Sequence, residues 1–156
     1  MLLTNTPFHC FVVPLFPINL LTHLHMSIEI YFDGPKKVNA RFEGFTVETD
    51  QPVRAGGEGS APTPFALFLS SLATCAGIYI KGFCDQRSLP SGDIRLTLDY
   101  IVEPVTKNIG KFIIKIFVPA DFPEKYDTAL IQSASLCAVK RHLDPAIQNE
   151  ITVVRG

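Results

Sequence analysis

Cys75 and Cys137 are the two side chains of this 156-residue chain best suited to act together. A cysteine is a nucleophile only as its thiolate, and two thiols that meet can be oxidised and reduced as one unit. Cys75 lies near the middle of the apolar run PFALFLSSLATCAGIYIKGFCD, among small residues. Cys137 lies far downstream, in the helix-like segment SASLCAVKRH. Helical spacing puts Leu67, Phe68, Ser71, Leu72, Cys75, Ile78 and Tyr79 on one face of the first helix. It puts Tyr126, Leu130, Ser133, Cys137 and Lys140 along one stripe of the second. Both stripes are expected to face the core, where the thiols could form one site. Each also holds a serine, Ser71 or Ser133, where a purely structural stripe would more often hold leucine or alanine. The plainer reading is that each cysteine is a small buried hydrophobe.

Other candidates carry less. Cys84 follows Cys75 by nine residues, which at about 100° per residue is roughly the opposite side of the helix, and it reads as structural. His142 follows Cys137 by five residues, on a different face, near a helix C-terminus where the dipole favours it. A Cys–His dyad and a zinc site built on these residues are therefore both weak. His9, Cys10, His23 and His25 match no standard zinc spacing, so no metal is expected. Gly56, Gly57 and Gly59 form neither GxGxxG nor GK[ST], which leaves little case for a nucleotide. No cofactor is implied.

Composition narrows the partners. Fourteen basic residues against fifteen acidic ones leave a formal charge of −1, so there is no basic footprint for nucleic acid. No block of like charges marks a membrane-surface patch. Four irregularly spaced cysteines do not read as a disulfide scaffold; they fit a reducing compartment, the cytoplasm, with one or two reactive thiols.

The elements that must position the thiols follow from periodicity. Residues 1–25 contain no charged residue and hold Pro7, Pro14 and Pro17. They lack the basic start and small-residue cleavage site of a signal peptide, and the prolines break any membrane span. They are read as an extension, with Met26 the natural start of a single domain over 26–156. Strands are expected over 27–32, 36–42 and 45–49, with Glu43-Gly44 as a two-residue hairpin turn. Alternation puts Val38, Ala40 and Phe42 on one face and Lys37, Asn39 and Arg41 on the other, and this small meander needs something to cover its apolar face. A long loop over 50–64 leads into the first helix, capped by Thr63 or Ser60 with Pro64 in its first turn, running to about residue 83. A hairpin follows over 93–103 and 111–118. A second helix is expected from Asp121, with Glu124 completing a capping box, to about His142, and a last strand over 147–154. The order is α+β, with mostly antiparallel sheets packed on two long helices.

The stretch PTPFALFLSSLATC, with Cys75 eleven positions after Pro64, resembles the motif of the osmotically inducible protein C and organic hydroperoxide resistance family. So does Cys137 in CAVKRHLDPAIQNEI before a final strand, and FTVETDQPVRAGGEGSAPTP resembles an OsmC-like branch. The resemblance covers roughly residues 26–154. It implies a swapped, intertwined homodimer in which each subunit's N-terminal strands complete the other's sheet. It also implies thiol-dependent reduction of organic hydroperoxides, with Cys75 attacking, Cys137 resolving and a dithiol reductant closing the cycle. The attacking thiol needs a cation to lower its pKa; Arg41 is the first candidate and Arg54 the second.

One position departs from the family. Its peroxidases resemble one another in a glutamate directly after the motif proline, paired with the activating arginine, and here that position is Phe65. Glu58 in the loop is the carboxylate available to substitute. Phe65 makes the expected pocket more apolar, which suits a bulky organic substrate. It also favours a second reading: a non-peroxidase family member that binds an apolar small molecule or uses the thiol pair as a redox sensor.

Overall fold

The computed structural model of the chain describes residues 26–156; residues 1–25, with His9, Cys10, His23 and His25, lie outside the described residues. The chain folds as α+β. Strands β1 (Glu29–Phe32), β2 (Val38–Phe42) and β3 (Phe45–Val47) form an antiparallel meander in sequence order. The β2–β3 turn is the expected one: Glu43 and Gly44 both have positive φ, 46° and 81°, the twist that a two-residue hairpin demands.

The meander's faces are not as the alternation suggests. Asn39, expected to face outward, is buried, and its side-chain oxygen accepts the Thr49 N–H at 3.1 Å. The apolar residues are the exposed ones: Phe32 is 81% exposed and Phe45 66%, with Ile28 and Ile30 beside them. This sheet makes no substantial contact with the helices or with the second sheet. Among the described residues nothing covers its apolar face.

The loop after β3 is organised by a carboxylate. Asp50 is almost fully buried; it accepts the N–H groups of Gln51 (2.7 Å), Glu58 (3.1 Å) and Ser60 (3.0 Å) and the Ser60 hydroxyl (2.9 Å). A Cβ on Gly57 would overlap the Gln51 carbonyl, so the loop closes around Asp50 only because residue 57 has no side chain. The Ser60 N–H bond above all, opposed by burial and aided by the Gln51 N–H, the Ser60 hydroxyl and the Glu58 N–H, holds the Asp50 pKa at about 2.

Helix α1 (Pro64–Asp85) begins as the sequence predicts. Thr63 Oγ1 accepts the Ala66 N–H at 3.1 Å, and Pro64 occupies the first turn, where its missing N–H costs nothing. The buried stripe is Leu72, Ala76, Ile80, Phe83 and Cys84. It is rotated from the expected face, leaving Ser71 exposed and Ile78 64% exposed. The helix is apolar almost all round, so its period alone does not choose the inward side. By length and composition α1 could cross a membrane; in this fold it packs on α2 and β4.

The second sheet has the order β4 (Arg95–Val102), β5 (Ile109–Val118), β6 (Gln148–Arg155). β4 and β5 pair antiparallel, whereas β6 joins β5 in parallel, the one such pairing among the described strands. Parallel neighbours require a crossover, and α2 (Asp127–Ser135) lies in it. Phe112, Ile114, Ile116 and Val118 of β5 alternate inward to meet Leu72 and Ala76 of α1 and Leu130 and Ala134 of α2. Each of the larger side chains contributes about 1.5–3 kcal/mol through burial. Arg155 at the end of β6 holds the start of α2, its guanidinium forked onto Asp127 at 2.7 and 3.0 Å.

Candidate active site

Cys137 is not on a helix, contrary to the sequence expectation of one helix from 121 to 142. The Asp121 capping box does not form; a 3-10 turn, Glu124–Tyr126, precedes α2 without a side-chain cap. At the other end, the Ser135 hydroxyl bonds back to Ile131 O (2.8 Å), a contact that competes with regular helix. The next two N–H groups reach only three residues back, Leu136 to Ser133 O and Cys137 to Ala134 O, and the helix tightens and stops. A second 3-10 turn, Lys140–His142, follows.

The broken helix builds the surroundings of both thiols. Cys137 is 1% exposed; its Sγ–H donates to Leu72 O of α1 (3.7 Å), and its sulfur accepts the Lys140 N–H (3.4 Å). Cys137 thus ties the middle of α1 to the turn after α2. Cys75, one turn further along α1, is half-buried against the same core. Both thiols are free.

Their electrostatics differ in sign. Burial alone would raise the Cys75 thiol. The Val139 N–H, the Cys137 thiol, the Ala138 N–H and the Arg141 charge outweigh burial, and the net pKa is lowered. Burial raises the Cys137 thiol; the Lys140 and Val139 N–H groups oppose this, Cys75 reinforces it, and the net pKa is raised. The two environments shift the thiols in opposite directions, favouring the thiolate at Cys75 over that at Cys137. A thiolate in such a setting can attack an electrophile, and a neutral neighbour can supply a proton or condense with the oxidised sulfur.

Arg141 was not among the sequence candidates, although it stands four residues after Cys137 in the basic run Lys140-Arg141-His142. That run was the available signal; read as the last turn of a helix, it pointed only to the dipole. Arg141 is exposed and in no ion pair among the described residues. Arg41 meets Glu29 at 3.6 Å and lies over the Tyr31 ring on the meander. Arg54 sits in the 3-10 turn Val53–Ala55 of the loop. Glu58 pairs with Lys37 at 2.8 Å. None of these three is among the groups that shift Cys75 within one chain. Ser71, expected as a companion of Cys75, spends its hydroxyl on Phe68 O (2.7 Å). Cys84 is buried, as expected of a structural cysteine, and burial raises its pKa.

Phe65 stacks on Phe68 (centroids 6.0 Å apart) and meets Tyr100 edge-on (6.1 Å). It lines a cavity of about 560 Å³ at the end of the β4–β5 hairpin. Neither thiol lines that cavity, so the apolar space Phe65 creates is not the space around Cys75.

Comparison with known proteins places these features. The profile of the OsmC-like protein family matches residues 57–152. No curated protein matches the sequence. Among solved structures, the fold is similar to a Psychrobacter arcticus 273-4 protein named for osmotic stress induction and detoxification response, with 19% identity and TM-score 0.71 over 86% of this chain and 100% of that one. It is similar to an organic hydroperoxide resistance protein from Elizabethkingia anophelis, with 15% identity and TM-score 0.62 over 88% and 100%. It is also similar to an organic hydroperoxide resistance protein OsmC from Legionella pneumophila, with 16% identity and TM-score 0.57 over 83% and 96%. At these identities the likeness is one of fold.

Proposed function

The chain belongs to the OsmC-like family, and from that premise we propose that it reduces organic hydroperoxides with a Cys75/Cys137 pair and a dithiol donor. The observation that carries the reading is the opposite shift of the two thiols, with Cys75 lowered and Cys137 raised. The Cys75 thiolate attacks the terminal oxygen of ROOH; the O–O bond breaks, RO⁻ leaves and takes a proton as ROH, and Cys75 becomes a sulfenic acid. The Cys137 thiol then attacks that sulfur, a disulfide forms, and water departs. An external dithiol reduces the disulfide by exchange and is itself oxidised. The cytoplasm is the compartment whose reducing poise sustains such a donor.

Arg141 and the Ala138 and Val139 N–H groups take the role of thiolate stabilisers within one chain. An intertwined homodimer completes the molecule, with the exposed Phe32 and Phe45 face covered by a second copy. Arg41 and Arg54 are the further cations such a dimer could bring to a thiol, and Glu58 the carboxylate.

The test is cumene hydroperoxide consumption with dithiothreitol as donor, for the wild type, Cys75→Ser and Cys137→Ser. Turnover lost in Cys75→Ser supports the reading. A folded wild type that consumes no hydroperoxide overturns it.

A further inference from the structure

The aromatic cavity beneath Phe65 is separate from the thiols and has a chemistry of its own. Its apolar walls come from Phe65, Phe68, Phe112, Ile109 and Ile147, drawn from α1, β5 and the segment entering β6. Its volume of about 560 Å³ falls within the roughly 300–1,000 Å³ usual for small-molecule sites.

The charged residues that line it have one sign. Glu103 and Asp144 are the charged residues of the lining, and no lysine, arginine or histidine is among the residues that form it. Asp144 Oδ1 accepts the Ala146 N–H (2.9 Å), which fixes the carboxylate at the mouth and leaves its second oxygen without a partner among the described residues. Glu103 forms no ion pair among the described residues. Its carboxylate lies over Gly110, where any Cβ would overlap it, so the bare backbone of β5 makes the room it occupies. The nearest lysine of that strand, Lys111, is engaged with Glu150 at 2.5 Å.

We propose that this cavity binds a small organic cation, an aromatic or branched alkyl ammonium, with its apolar body against Phe68 and Phe112 and its ammonium between Glu103 and Asp144. The aromatic faces add their own attraction for a cation at the mouth. An anionic or zwitterionic guest of the same size would bring its carboxylate against two like charges. This binding is independent of the thiol chemistry and stands or falls apart from it.

The test is calorimetric titration of the full, reduced chain with phenethylammonium, and with 3-phenylpropionate as the probe of opposite charge. Amide chemical shifts of the ¹⁵N-labelled protein are followed in the same titrations. Phenethylammonium should bind about tenfold more tightly than the carboxylate, the sum of two exposed charge contacts. The shifts should gather on residues 103–112 and 144–148. The double variant Glu103→Gln, Asp144→Asn should erase the preference while still binding the neutral 2-phenylethanol as the wild type does. Equal affinity for the two charged probes overturns the proposal. So does a preference that survives the double variant, shifts that gather elsewhere, or no saturable binding of phenethylammonium.

Discussion

Cys75 and Cys84 stand on the same helix, nine residues apart, and their environments push them in opposite directions. Cys84 has two cations close by, Lys81 and Arg87, and its pKa is nevertheless raised, by burial first and then by Asp85. Lys81 is spent on Asp85, and Arg87 lies over the Phe83 ring at 4.0 Å and donates to Phe83 O. Cys75 has one exposed cation, Arg141, but the Val139 and Ala138 N–H groups count for more, and its pKa is lowered. The pair teaches that nearby positive charge does not by itself make a reactive cysteine. Fixed dipoles with no other partner do more than charges already engaged.

The sharpest way to break this comparison is to remove each sulfur in turn. Cys75→Ser should lower hydroperoxide turnover by at least about 10³-fold, as loss of a nucleophile does, whereas Cys84→Ala should leave the rate per folded molecule unchanged. A steady-state assay on both variants decides it, and comparable losses would mean that the two environments do not differ in function. Next in size, Cys137→Ser should still consume one equivalent of hydroperoxide rapidly and then stall, leaving a sulfenic acid at Cys75 that dimedone traps. Rapid-mixing kinetics with mass spectrometry read both events. If turnover continues undiminished, Cys137 is no more than a core residue.

A smaller effect measures how much of the Cys75 shift is charge. In wild type, alkylation by iodoacetamide should set in at lower pH for Cys75 than for Cys84, because one pKa is lowered and the other raised. Arg141→Ala should slow Cys75 alkylation near neutrality about two- to fivefold, the worth of one exposed charge contact. Arg41→Ala, by contrast, changes the rate only if a second copy delivers that cation. Peptide mapping of the alkylated cysteines reads all three proteins.

The smallest effect concerns Asp50, where backbone N–H groups also gather on an anion. Its folded pKa of about 2 lies below the ordinary 3.8. Its contribution is therefore fully present above the ordinary value and is lost as pH falls through about 2. Thermal melts from pH 5 to pH 2 should show a drop in Tm over that window which Asp50→Asn reduces. The Cys75 alkylation profile, set in a different part of the molecule, should not change in that variant.

What the sequence disclosed about the fold was local. The Glu43-Gly44 turn, the Thr63 cap and the alternation of β5 each depend on a few adjacent residues, and each is in the structure. The meander's faces were misjudged because Asn39 takes its burial from Thr49, a partner ten residues away. The pairing of Cys75 with Cys137 as candidates rests on helical stripes first, and the family motif adds their roles. Periodicity put Cys137 on a helix that ends two residues before it. Arg141 escaped notice for the same reason, since its nearness to Cys75 exists only once the second helix has stopped and the chain has turned back.

The parallel pairing of β6 with β5 has a consequence in time. Ala138 and Val139 lie in the crossover between those strands, so the N–H groups that lower the Cys75 pKa come into place with the pairing of β6 along β5. Contacts between distant parts of a chain form late, because the intervening loop must first be closed. A chain still folding therefore holds Cys75 without those N–H groups. If Cys75 is the attacking thiol proposed above, its reactivity arrives only with the closing of the fold, and premature oxidation meets an ordinary cysteine.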